Sequence, residues 1–133
     1  MKYLMYCDGA TWQSNPSPKT AVGIICYTDN PRTEVFKISQ ATGPGTNNFA
    51  EYMSAIIGLE AAISKGIQDL WVCMDSQLVV KQCRKEWRVK EPSLIPLNAK
   101  VLELMKRFKS ITFQHVGRSE NTEADKLSKQ GLI

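Results

Sequence analysis

Four acidic residues in this chain stand among apolar neighbours. Asp8 follows Tyr6-Cys7, Glu51 lies beside Phe49 and Ala50, Asp75 follows Val72-Cys73-Met74, and Asp125 lies beside Ala124 and Leu127. Taken singly, an Asp or Glu is usually a solvated surface charge or a helix cap. Asp125 would suit a helix N-terminus, and Asp75 could cap a following helix. Brought to one crevice the four would repel strongly, since like charges about 4 Å apart cost about 4 kcal/mol per pair at an effective dielectric near 20. Something positive must then occupy the gap. Hard divalent cations prefer oxygen ligands, and Mg2+ takes one or two carboxylates per ion with water and substrate phosphate completing its shell. Four carboxylates therefore suit two ions, whose usual chemistry is in-line displacement at a phosphodiester.

The elements that must position these acids follow from apolar periodicity and turn residues. Residues 2–7 read as a short apolar strand ending at Asp8-Gly9, and residues 11–20, with Asn15, Pro16 and Pro18, as a flexible loop. Apolar runs over 21–27 and 33–39, separated by Asp29-Asn30-Pro31, complete three antiparallel strands. A loop over 42–47 leads into a long helix that runs to about Lys65 and is closed by Gly66. One apolar stripe of that helix is Ala50, Met53, Ile57 and Ala61, while Ala55, Gly58 and Ala62 form a flank of small residues on the side of Glu51. A fourth strand over 69–74 runs into Asp75-Ser76, followed by helices over 77–86 and 94–108, a fifth strand over 111–116 and a last helix over 121–130. In such an α/β sheet, strand ends and the helix packed across them can converge on one crevice.

Composition sets the outer limits. A chain of 133 residues with 43% apolar and 23% charged residues is expected to fold as one domain over 1–133. No apolar run approaches the roughly 18 residues of a membrane span, and Asp8 arrives too soon for a signal-peptide core. The expectation is a cytoplasmic protein with no membrane partner, and nothing demands more than a monomer. Cys7, Cys26, Cys73 and Cys83 form no CxxC pair and read as buried thiols of a reducing compartment. The formal charge is only +4, but residues 81–109 hold nine Lys or Arg against three Glu. An anionic partner would meet that patch first.

The neighbours of the four acids sharpen this. Tyr6-Cys7-Asp8-Gly9-Ala10, Thr46-Asn47-Asn48-Phe49-Ala50-Glu51, Met74-Asp75-Ser76-Gln77 and Glu120-Asn121-Thr122-Glu123-Ala124-Asp125-Lys126-Leu127 resemble, in order, the motifs of type 1 ribonuclease H. The resemblance covers nearly the whole chain. It implies an α/β ribonuclease H-like fold, a mixed five-stranded sheet of three antiparallel strands then two parallel ones flanked by helices. The implied activity is endonucleolytic cleavage of the RNA strand of an RNA/DNA hybrid with Mg2+ or Mn2+, leaving a 3′ hydroxyl and a 5′ phosphate. Asp8, Glu51, Asp75 and Asp125 would be the catalytic metal ligands, Asp8 bridging the two ions. A 2′ hydroxyl is what distinguishes RNA from DNA at a given site. The resemblance gives its recognition to Asn47, Asn48 and Gln77 with backbone groups near Gly9 and Ala10, and Asn15 is a further expected substrate-binding residue. Thr46-Asn47-Asn48 also reads as a helix N-cap region, and the two roles can coexist.

Two departures from the family pattern matter. Larger bacterial members carry an extra basic helix-loop after the third acid, and residues 77–98 are too few to hold it. Trp87, Arg88 and Lys90 lie there instead, suited to a DNA backbone or stacking contact with salt-dependent affinity; the alternative is a Trp87 packed against the following helix. Many members also place a mobile His before the last acid. The only histidine, His115, is ten residues before Asp125, but the pattern Ile111-Thr112-Phe113-Gln114-His115-Val116 puts it in the last strand. The auxiliary His would then be absent, with Arg118 contacting phosphate in its place. Two other functions compete: a hybrid- or double-stranded-RNA-binding module with little cleavage, and a related nuclease such as a junction resolvase. The intact acidic set argues for an enzyme, because converging carboxylates cost stability unless metal is bound. Asn47, Asn48 and Gln77 argue against the resolvase.

Overall fold

The computed structural model describes residues 2–133, so Met1 of the expected domain lies outside the described residues. The strands β1 (Tyr3–Thr11), β2 (Ser17–Asp29), β3 (Arg32–Gly45), β4 (Asp69–Met74) and β5 (Ser110–His115) form one sheet in the order β3-β2-β1-β4-β5. The pairs β1/β2 and β2/β3 are antiparallel, and β1/β4 and β4/β5 are parallel. This is the expected mixed sheet. The helices are α1 (Asn47–Ser64), α2 (Gln77–Cys83), α3 (Ile95–Met105) and α4 (Thr122–Gln130), with single 3-10 turns at Pro92–Leu94 and Arg118–Glu120.

Side-chain size decides which faces meet. Ala55, Gly58 and Ala62 of α1 are buried, and a Cβ on Gly58 would lie 3.0 Å from Met5 Sδ. The small flank thus lets α1 lie directly on β1. Successive strand residues face opposite sides of a sheet. A side chain on Gly9 would collide with Ala50 and Glu51 of α1, whereas one on Gly23, which pairs with the neighbouring Asp8, would collide with Ala124 and Ser128 of α4. Helices α1 and α4 therefore cover opposite faces at Asp8. The main core fills the α1 side, built from Met5, Ile24, Leu59, Val72, Val80, Val101 and Phe113 among others.

The strands run further than apolar periodicity predicts. The expected loop over 11–20 shrinks to 12–16, and most of the expected loop over 42–47 belongs to β3. Asp8 is consequently not at the end of its strand. Pairing explains this extension through polar residues, because the long β2/β3 ladder satisfies their backbone. Side chains add to it: Thr20 Oγ1 donates to the Gly43 carbonyl at 2.7 Å, and Ser17 Oγ accepts from the Trp12 N–H at 3.1 Å and donates to its carbonyl at 2.9 Å. Helix α2 is shorter than expected. It ends at Cys83 because Lys85 takes a left-handed φ of 62° and the Glu86 and Trp87 amides turn back to the Lys81 carbonyl. Helix α3 likewise occupies only part of 94–108.

All four cysteines are free and buried. No helix of the described residues is long and apolar enough to cross a membrane. The cationic stretch is partly neutralised, since Lys81 and Arg84 both pair with Glu86 and Lys106 with Glu103.

Candidate active site

The crevice begins where β1 and β4 part. Their parallel pairing ends at Cys7↔Met74, after which β1 continues with β2 alone. Asp8, still within β1, and Asp75, just past the end of β4, are the next residues along the two segments. Asp8 thus ends the parallel pairing rather than the strand, and the site sits at the carboxyl ends of parallel strands, as ligand crevices in α/β sheets do.

Glu51 reaches the crevice through the first turns of α1. Thr46 caps that helix, accepting from the Phe49 N–H at 3.0 Å. Asn47 and Asn48 are therefore its first two residues, not its cap. The close seat that Gly9 permits brings Glu51 Oε1 to 2.7 Å from the Gly9 N–H, which donates to it. One oxygen from each of Asp8, Glu51 and Asp75 lies within 4.8 Å of the others. Asp8 and Glu51 are each only 6% exposed.

Asp125 arrives from the other face. Its helix is seated on β2 where Gly23 has no side chain, and pinned to β1 by Asn121, whose Nδ2 donates to the Cys7 carbonyl at 3.0 Å. Asp125 lines the same 310 Å³ pocket as the other three acids but stands outside their tight cluster. Its Oδ2 accepts from Lys129 Nζ at 3.0 Å. The four acids therefore do converge, as three together and one at the rim.

Electrostatics reports the crowding. Burial, then the charge of Asp75, then the nearby carboxyl of Asp125 push the Asp8 carboxyl up to about 7. Glu51 is raised well above the ordinary carboxylate range by burial and by the charges of Asp8 and Asp75, partly offset by the Gly9 N–H. The buried pair Asp8 and Glu51 thus resists full ionisation near neutrality unless a cation joins it. An all-oxygen donor set, two members of it buried and resisting ionisation, fits a hard divalent cation.

The remaining expected residues fall into two groups. Asn47 and Arg118 line the carboxylate pocket with Gly9, and Asn48 lines an adjoining cleft of about 680 Å³ with Trp87, Arg88 and Lys90. Trp87 is 45% exposed rather than packed under the next helix, and Arg88 and Lys90 have no carboxylate within ion-pair distance among the described residues. Asn15 Oδ1 accepts from the Asn47 N–H at 2.9 Å, tying the β1–β2 hairpin tip to the start of α1. Gln77 is exposed at the first residue of α2 and lines neither cavity, and Ala10 lies in the β1/β2 ladder opposite Ala21. His115 is the last residue of β5, as its strand pattern predicts, yet it remains at the site. The register Met74↔His115 sets its Nε2 3.3 Å from the Asp75 carbonyl oxygen.

Sequence reasoning assigned no part to Asn121 or Lys129. The Asn121 anchor has no local signature, because its partner is a carbonyl over a hundred residues away. Lys129 did carry one, the i, i+4 spacing from Asp125 that pairs opposite charges on a helix.

A protein-family model described as reverse transcriptase-like matches residues 6–131. The chain is 36% identical over 132 residues to a bifunctional protein of Mycobacterium tuberculosis, covering 99% of this chain and 36% of that protein. It is 36% identical over 127 residues to ribonuclease HI of Halobacterium salinarum, covering 96% of this chain and 62% of that protein. It thus spans about a third of the mycobacterial relative's length. Among solved structures, it resembles the N-terminal RNase H domain of the mycobacterial protein, with a TM-score of 0.93, 34% identity and all of both chains covered. RNase H1 of H. salinarum gives a TM-score of 0.94 at 34% identity over 99% of this chain and 98% of that one. LC11-RNase H1, solved in complex with an RNA/DNA hybrid, gives 0.90 at 30% identity over 98% and 96%. The family model, the sequence identity and the backbone shape agree along nearly the whole chain, which belongs to the type 1 ribonuclease H family.

Proposed function

We propose that this chain is an endoribonuclease that cleaves the RNA strand of RNA/DNA hybrids by two-metal-ion phosphodiester hydrolysis, leaving 3′-hydroxyl and 5′-phosphate ends. The observation that carries the reading is the convergence of Asp8, Glu51 and Asp75 within 4.8 Å, with Asp125 on the same pocket wall. Asp8, Glu51 and Asp75 would hold a divalent cation, and Asp8 with Asp125 would complete the set for a second. Mg2+ is the expected ion and Mn2+ a substitute. Divalent ions of this kind polarise a phosphodiester and lower the pKa of bound water.

The chain's own groups supply orientation and charge. The Gly9 N–H fixes one Glu51 oxygen, which keeps that carboxylate turned into the pocket. Asn121 holds the start of α4 against β1, so Asp125 faces Asp8 without depending on a mobile loop. Lys129 neutralises Asp125 in the free protein, and Arg118 on the same pocket wall contacts a substrate phosphate. His115, beside the Asp75 carbonyl, takes or returns a proton near the leaving strand. Asn47, Asn48 and Gln77 read the RNA strand through its 2′ hydroxyls, while Trp87, Arg88 and Lys90 take the DNA strand by stacking and phosphate contact. The hybrid-bound relative supports the substrate class.

The test is cleavage of an end-labelled RNA/DNA hybrid with Mg2+, Mn2+ or chelator, beside single-stranded RNA, duplex RNA and duplex DNA. Metal-dependent cutting of the RNA strand of the hybrid alone is the expected result. Cutting of DNA would transfer the reading to a junction nuclease, and binding without cutting in any metal would make the chain a recognition module.

A further inference from the structure

The segment that carries Trp87, Arg88 and Lys90 has little structure of its own. Between the end of α2 and the 3-10 turn at Pro92–Leu94 the backbone is neither helix nor strand. Among the described residues, one hydrogen bond from outside the segment reaches the backbone of 88–90, and it comes from Gln82 Nε2, which donates to the Arg88 carbonyl at 3.4 Å. Val89 is half-buried against the core, and the far end of the segment is held where the Glu91 carbonyl accepts from the Leu94 N–H at 3.0 Å.

Gln82 is itself held from below. It is 5% exposed, and its Oε1 accepts from the Tyr52 hydroxyl at 2.7 Å; that hydroxyl in turn accepts from Asn98 Nδ2 at 3.1 Å. Tyr52 is fully buried and directly follows Glu51 on α1. A buried chain of polar groups thus runs from α3 and α1 through α2 to the carbonyl of Arg88. Buried networks with every member satisfied are rigid and specify one geometry. A glutamine in the same place on an exposed helix face would tie nothing.

We propose that Gln82 is a positioning residue for substrate binding: oriented by Tyr52 and Asn98, it registers the Arg88–Lys90 segment against the helix that delivers Glu51. The inference rests on the reading of the protein as a hybrid-cleaving enzyme and adds a group that touches no substrate. Its loss leaves the carboxylates in place and lets the two cations wander, so affinity falls while the chemical step is kept.

The experiment measures KM, kcat and the salt dependence of KM on a hybrid for the parent, Gln82→Met, Tyr52→Phe and, as a core control outside the network, Leu104→Ala. Gln82→Met should raise KM about five- to tenfold with kcat within twofold, and lower the salt slope by about one contact. Tyr52→Phe should do the same at two- to threefold in KM, and it carries the test if Gln82→Met does not fold. Leu104→Ala should lower the melting temperature and leave KM unchanged. A second readout needs no substrate: in a Trp12→Phe, Trp71→Phe background, Gln82→Met should make Trp87 more accessible to acrylamide quenching. Unchanged KM and slope in both network variants, or unchanged Trp87 quenching, would overturn the assignment. A parent that cuts no hybrid would overturn the functional reading instead, and the quenching would still decide the anchor.

Discussion

The carboxylate crevice and the cationic cleft meet at the start of one helix, Asn47 lining the first and Asn48 the second. They are built in opposite ways. In the crevice, Asp8 and Asp75 come from or directly follow strands, Glu51 and Asp125 from helices, and two glycines let those helices touch the sheet. In the cleft, Trp87, Arg88 and Lys90 are exposed on a segment without regular structure. The contrast follows from the work each region is given. Charges that must act on one phosphodiester need near-ångström placement of each side chain, whereas attraction to a polyanion falls off over roughly 8–10 Å at ordinary salt and asks only that the segment bearing the cations be held, as Gln82 holds it.

The largest break expected between the two regions is Asp75→Asn. Cleavage should fall by at least about a thousandfold while hybrid affinity stays within a few-fold, as measured by single-turnover kinetics and by binding to an uncleavable hybrid. Activity persisting in a rigorously purified variant would sink the ligand assignment.

Next comes the pH dependence of the metal-free protein. The Asp8 carboxyl titrates near 3.8 unfolded and about 7 folded, so the folded chain binds more protons between those values. Its contribution to stability is fully present below about pH 4 and is lost as pH rises through 7. That loss is on the order of a few kcal/mol. Asp8→Asn should therefore raise the melting temperature in chelator at pH 7.5 relative to the parent, with the difference closing by pH 4. Added Mg2+ should stabilise the parent and not the variant.

For the cleft, Arg88→Ala with Lys90→Ala should lower the slope of log affinity against log salt by about 2, and affinity roughly tenfold at moderate salt, with kcat retained. A slope equal to the parent's would remove both cations from the interface. The smallest effect belongs to the boundary between the regions. Asn48→Ala should cost about 1 kcal/mol of discrimination between an RNA strand and one lacking 2′ hydroxyls near the cut, read as a ratio of kcat/KM.

The legibility of the molecule divides along the same line. The four acids were readable because apolar neighbours around an Asp or Glu are rare, and apolar runs with turn residues placed the strands and the antiparallel pairing of the first three, while the mixed sheet came with the family resemblance of the motifs. The length of β1, β2 and β3 was not, because Ser17 to Thr20 and Thr42 to Gly45 have loop composition and become strands only through each other. His115 shows the same limit more sharply. Its strand was legible, but its neighbour Asp75 depends on the β4/β5 register, a long-range choice that no local pattern records. The positions of Arg88 and Lys90 depend on Gln82, a residue whose sequence context is that of an ordinary helical glutamine.

The place of β1 carries a last consequence, for heating. It is the middle strand of five, bonded to β2 and β4 and covered by a helix on each face at Asp8. Such regions open only when the whole molecule does, while exposed segments open alone and earlier. Thermal inactivation at saturating substrate should therefore track global melting, and at low substrate it should begin several degrees sooner, as the grip on the nucleic acid loosens around a centre that is still intact.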